Sequence, residues 1–86
     1  MAARTEQGIA AAIAGFVNRE IMAPGHRVSP GDAFDVVGID SMAVLKILLF
    51  VEREFGFWVP DEDLVASNLT SATTLARYIA ARLGGR

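Results

Sequence analysis

Apolar residues recur at helical spacing in three places along this chain, and nowhere do they alternate in sustained steps of two. Over residues 4–22, Ile9, Ile13, Phe16, Val17 and Ile21 fall three or four apart with alanines between them. That pattern predicts one helix with a single buried stripe, ended by Pro24–Gly25. A second run starts near Ser41 and reaches Phe55, with Gly56 in position to cap its C-terminus. A third begins with Thr70 or Ser71 as N-cap and carries Leu75, Ile79 and Leu83 at intervals of four, with Tyr78 beside them, until Gly84–Gly85. Between the last two, Pro60 blocks a continuous helix, and Asp61 is placed to cap a short one through Leu64 and Val65. The prediction is an all-α fold with helices over about 4–22, 41–55, 61–66 and 71–83, three longer and one short.

The connection over 23–40 is long for a helical bundle and is punctuated by Pro24, Gly25, Pro30, Gly31 and Gly38. Phe34, Val36, Val37 and Ile39 are expected to anchor it on the helices. The second helix is more apolar than one buried face requires. At about 100° per residue, Val44, Ile47, Leu48, Val51 and Phe55 share one sector, the expected core face. Met42, Leu49 and Phe50 point elsewhere, near Lys46 and Arg53, and Leu45 lies at the border. The extra apolar area is either covered by the first helix and the long loop, a reading that fits Phe50 as well as exposure does, or left open to other proteins. For Met42, Leu45 and Leu49, with Lys46 adding a charge, docking is the favoured reading.

Composition narrows the class. The 86 residues make a single domain over 1–86, and 52% hydrophobic against 21% charged residues excludes a disordered tail. Eight basic and ten acidic residues give a net charge of −2 with no long run of one sign, so no nucleic-acid partner is expected. The longest nearly uncharged stretch, 42–51, is interrupted by Lys46 and far too short for a membrane span. With no cysteine there is no disulfide and no thiolate metal site. A soluble, monomeric, cytoplasmic protein without a membrane or metal partner is the expectation, and the length suggests a free-standing one.

The chemistry concentrates at "VVGIDSMAVLKILLF", residues 36–50. Asp-Ser ahead of an apolar run is ordinarily a helix cap, worth about 1 kcal/mol. The same place offers free backbone N–H groups and the positive end of a helix dipole, which suit a phosphate ester on Ser41. Asp40 beside it could orient the serine or help a visiting enzyme hold a metal ion. Ser41 has no partner that would make it a nucleophile in its own right. The lone histidine, His26, sits in the loop, so a self-acting Ser-His-Asp site is not expected, and no catalytic residue is assigned. The acidic run 61–63 reads as charge complementing a helix dipole.

"GIDSM" at 38–42 resembles the phosphopantetheine attachment motif of acyl carrier proteins, Gly-x-Asp-Ser-Leu, with Met42 in place of the leucine. The similarity continues through "EREFG" (52–56), "VPDEDL" (59–64) and "TSATTLARYIAARL" (70–83), covering about 30–83. It implies a four-helix bundle of the acyl-carrier type. It also implies that Ser41 accepts 4′-phosphopantetheine from coenzyme A through a phosphopantetheinyl transferase, with Asp40 flanking the site and Met42 the first docking contact. On that arm an acyl intermediate would ride as a thioester, the arm supplying the thiol this chain lacks. The implied partners are an acyl-loading ligase or acyltransferase and a downstream synthase, transferase or thioesterase. Fatty-acid carriers resemble one another in an acidic recognition helix, whereas "SMAVLKILLF" has no acid and carries Lys46. That departure points to polyketide or related specialised biosynthesis. Aminoacyl and peptidyl carriers more often resemble Gly-Gly-x-Ser, which makes them the runner-up. An unmodified helical interaction domain is the alternative from another class.

Overall fold

Thr5 opens the first helix by accepting the Gly8 N–H on its hydroxyl at 3.0 Å. In the computed structural model, which describes residues 4–84, helix α1 runs Glu6–Phe16 and continues as a wider π turn over Val17–Ile21. The Met22 N–H closes that turn on the Val17 carbonyl, five residues back, at 2.9 Å. Helix α2 spans Ser41–Phe55 and ends on Gly56, whose φ of +70° is the left-handed conformation of a C-terminal cap. Helix α3 spans Ala72–Gly84. The other residue expected to stop it, Gly85, lies outside the described residues.

One element differs from its sequence expectation, and a choice left open at another is decided. The short helix over 61–66 is a 3₁₀ turn, Asp61–Asp63, with Pro60 and not Asp61 in the capping position. Leu64 departs from helical backbone at ψ +68°, and a separate turn follows in which Asn68 and Leu69 donate to the Val65 carbonyl. The Asn68 side-chain amide also donates to the Asp63 carbonyl at 2.9 Å, so the segment closes on itself in two tight steps. The start of α3 resolves in favour of Ser71. Its hydroxyl accepts the Thr74 N–H at 3.2 Å while the Thr74 hydroxyl accepts the Ser71 N–H at 3.0 Å, a reciprocal capping box with threonine in the place of glutamate.

The core forms where α1 packs along α3, with α2 laid against α1. Ile9, Ile13 and Val17 of the first helical segment meet Ile47 and Val51 of α2 and Leu75 and Ile79 of α3, all completely buried. Phe50 belongs to this core, which decides between the two readings open for it in favour of coverage by the first helix. Its ring stacks on Phe16 at 4.6 Å between centroids, and Phe55 meets its edge at 6.5 Å. The end of α1 therefore covers the side of α2 that helical phase alone assigned outward. Val44, expected in the core, is half-buried. In the loop, Phe34 and Ile39 are buried and Val37 partly so, but Val36 is 81% exposed, a correction. Val28 is buried too, held by the Asn18 side chain of the π turn. The amide donates to the Val28 carbonyl at 3.0 Å and accepts the Val28 N–H at 2.7 Å.

Asp63 does more than complement a dipole. It accepts a hydrogen bond from the Tyr78 hydroxyl and an ion pair from Arg82 at 2.8 Å. The Arg82 guanidinium also lies 5.9 Å from the Phe57 ring centre and 5.7 Å from that of Tyr78. Together these contacts fasten the 57–64 segment to α3. Burial, then the hydrogen bond to Asp63 and its charge, push the Tyr78 hydroxyl up to about 12, with Arg82 pulling the other way.

Truncating Ile79 or Phe55 to alanine should destabilise the fold by about 2–5 kcal/mol in chemical denaturation, and a midpoint that barely moves would mean these side chains are not packed as described. Tyr78 supplies a second check. Its protonated form is favoured in the folded state, so its contribution is present below the ordinary value of 10.0 and is lost as pH rises toward 12. Because the chain has a single tyrosine, tyrosinate absorbance reads it directly. The midpoint should lie near 12 in the folded protein and drop in Asp63→Asn.

Candidate functional site

The site is built on a change of backbone handedness. Residues 33–38 form a turn in which Val36 and Val37 donate to the Ala33 carbonyl. Gly38 ends it at φ +86°, with its N–H on the Asp35 carbonyl at 3.4 Å and the Ile39 N–H on the Phe34 carbonyl at 2.9 Å. This is the bond pair of a Schellman motif, and its usual companion, an apolar contact across the turn, is supplied by the buried Phe34 and Ile39. A Cβ at Gly38 would meet nothing within 4 Å, so the requirement there is the positive φ and not the space.

Two residues later the chain re-enters a helix. Asp40, extended at φ −90° and ψ −177°, is the N-cap, and its Oδ1 accepts the Ala43 N–H at 2.9 Å. The Asp40 carbonyl accepts the Val44 N–H at 2.9 Å, the first bond of α2. The capping role weighed for Ser41 thus falls to its neighbour. Ser41 is the first helical residue, exposed, and no hydrogen bond among the described residues engages its hydroxyl. The N–H groups of Ser41 and Met42 likewise face out of the helix end without a partner among the described residues. The turn does not stand alone. The Phe34 N–H donates to the Thr70 carbonyl at 2.8 Å, and Thr73 at the start of α3 donates to the Pro30 carbonyl at 2.9 Å. Ser41 is therefore positioned through the 30–39 segment by the far helix.

One face of α2 carries every residue singled out for docking. Met42 is 66% exposed, Leu49 48% and Leu45 43%, and Lys46 is exposed among them. Helical phase puts Ser41, Leu45 and Leu49 in one row and Met42, Lys46 and Arg53 in the next. Arg53, not among the residues expected to dock, extends this face, and its spacing of seven from Lys46 was the available signal. His26 is exposed in the long connection. Among the described residues no group of three or more histidines and acids is gathered for a metal ion, and no helix is long and apolar enough to cross a membrane. Asp40→Ala should cost about 1 kcal/mol in stability through the lost cap. Gly38→Val should cost about 1–2 kcal/mol for a left-handed L-residue, with Gly38→Asn milder. Equal denaturation midpoints for the valine and asparagine variants would remove the left-handed requirement.

The phosphopantetheine attachment site family matches residues 9–81. The mitochondrial acyl carrier protein of Dictyostelium discoideum is 33% identical over 75 residues, a match spanning 87% of this chain and 61% of that protein. The acyl carrier protein of Kineococcus radiotolerans is 32% identical over 81 residues, spanning 93% of this chain and 98% of that one. Among solved structures, a chain from the complex of Bradyrhizobium japonicum glycine:[carrier protein] ligase with glycylated carrier protein superimposes with a TM-score of 0.65. It is 29% identical, and the match covers 84% of this chain and 95% of that one. Three helices and a short 3₁₀ turn, a long connection before the second helix, and a family match over most of the length agree: the chain belongs to the phosphopantetheine-binding carrier proteins, which are not catalysts but are modified and used by partner enzymes.

Proposed function

We propose that Ser41 is the residue that takes up 4′-phosphopantetheine, and that the protein presents acyl intermediates on that arm to enzymes docking on α2. The observation that carries the reading is the state of the Ser41 hydroxyl: exposed, first in its helix, and free of the capping bond that Asp40 makes instead. The group suits the place. A phosphodiester on Oγ would lie beside the unpartnered N–H groups of Ser41 and Met42 and at the positive end of the α2 dipole. In the transfer, Ser41 Oγ attacks the pantetheine-bearing phosphorus of coenzyme A. The P–O bond to the nucleotide phosphate breaks, adenosine 3′,5′-bisphosphate leaves, and the hydroxyl proton goes to a base of the transferase. When attached, the arm supplies a terminal thiol able to hold acyl groups as thioesters. This chain contributes position: Gly38 and Asp40 fix the serine, and Met42, Leu45, Lys46 and Leu49 offer the contact surface.

A phosphopantetheinyl transferase, an acyl-loading ligase or acyltransferase, and a downstream synthase, transferase or thioesterase are the partners of this reading, acting in the cytoplasm. Polyketide or related specialised biosynthesis is the proposed setting, supported by a recognition face that is apolar and basic where fatty-acid carriers are acidic. An aminoacyl cargo is the second reading, and the fold match to a chain from the complex with glycylated carrier protein favours it.

Incubation with a broad-specificity phosphopantetheinyl transferase and coenzyme A should add one phosphopantetheinyl unit, read by intact-protein mass. Ser41→Ala should abolish the addition without loss of helicity. Modification that persists in this variant would move the site to another residue. Loading assays with acyl and aminoacyl donors on the modified protein would then separate the two cargo readings.

A further inference from the structure

Lys46 and Arg53 stand exposed on α2 to either side of Leu49, and neither has a carboxylate partner among the described residues. The ion pairs found there are Arg19–Glu20, Arg77–Glu6 and Arg82–Asp63. Seven residues of helix place the two cations about 10 Å apart along the axis. Leu49 falls between them, three residues after Lys46 and four before Arg53, and is half exposed. Beside this row runs a shallow groove between α2 and the end of the first helix, lined by Phe16, Glu20, Lys46, Leu49 and Arg53. The one carboxylate in that lining, on Glu20, lies 3.8 Å from Arg19. The groove lining thus holds two cations without an ion pair against one paired carboxylate, on a chain whose net charge is −2.

Resting on the carrier reading, we infer that this basic–apolar–basic row docks a partner helix of the complementary pattern: two carboxylates about two turns apart with an apolar side chain between them. Three features of the row select that occupant. The exposed apolar side chains Met42, Leu45 and Leu49 supply contact area. The unpaired cations attract a carboxylate rim and repel a basic one, which sets specificity and encounter rate more than raw affinity. The spacing of the cations by two helical turns matches the same spacing on a facing helix. Lys46 lies about 7 Å along the axis from Ser41, so a partner seated here stands beside the residue proposed to bear the arm.

The test uses the full chain, isotope-labelled for amide NMR, and two synthetic amphipathic helical peptides with the same leucine stripe. One peptide carries glutamates at the two flanking positions, the other lysines. The glutamate peptide should shift the amides of Lys46, Leu49 and Arg53 at a concentration roughly fivefold lower than the lysine peptide. The difference should shrink as salt rises, and Lys46→Glu with Arg53→Glu should reverse it. Equal response to both peptides, response to neither, or shifts confined to another face would overturn the proposal. So would concentration-dependent shifts of the same amides without any peptide, which would assign the row to a second copy of this chain. Mass measurement after transferase treatment of the same samples keeps the readings apart. Ser41 modified with no charge preference defeats the docking inference alone, and Ser41 unmodified defeats the carrier assignment of that residue.

Discussion

At Gly38 the backbone swings to φ +86° between a turn that has just closed and a helix that begins two residues later. The rest of the candidate site depends on that reversal. A right-handed conformation there would carry the 33–38 turn onward, and Ile39 would not fold back onto Phe34. With the reversal in place, Ile39 is buried, Asp40 is left extended, and an extended aspartate is what an N-cap requires. Glycine, apolar residue, aspartate and serine thus form a sequence of backbone instructions: reverse, anchor, cap, present. The serine is left outward-facing because the residue before it has taken the structural task.

This arrangement needs a rigid base, and α2 does not supply it alone. The core is built mainly where α1 meets α3, and α2 lies against it along one side through Ile47, Val51 and the stacked Phe16–Phe50 pair. The base under Ser41 is instead the long connection, pinned by backbone bonds to both ends of Thr70–Thr73 and by the Asn18 amide on Val28. Backbone and amide bonds of this kind have narrow geometry, so a loop without regular structure can hold its end in place. One-sided packing of α2 is also what leaves Met42, Leu45 and Leu49 in solvent. A helix buried on both sides would have a more secure core and no surface to offer.

Charge then narrows which partners this surface admits. Shape and apolar contact admit many partners, whereas like charges at a rim exclude some of them. The exposed row of α2 pairs apolar side chains with two cations that lack an ion pair among the described residues, while Asp63 is engaged by Tyr78 and Arg82 and the exposed Glu52 and Glu54 stand next to Arg53.

Much of this was legible beforehand, because local constraints are written in local residues. Helical periodicity located the three long helices, glycine and proline marked their ends, and the Gly-x-Asp-Ser stretch located the candidate attachment residue. What escaped was whatever depended on a neighbour distant in sequence. Phe50 lies outside the apolar sector of its own helix and is buried by Phe16, thirty-four positions earlier. Val36 looks like an anchor, yet the turn that buries Phe34 and Ile39 points it into water. The short helix shrank to three residues because Leu64 breaks its backbone and Asn68 closes on Asp63. Nor did the acidic run announce that one of its members would hold Tyr78, fifteen residues on. Periodicity, caps and handedness are properties of a few consecutive residues, so the sequence by itself determined the helices and the position of the serine. Which side chains are covered, and which cations lack a partner, depends on surfaces brought together across the chain, and only the tertiary structure decided that.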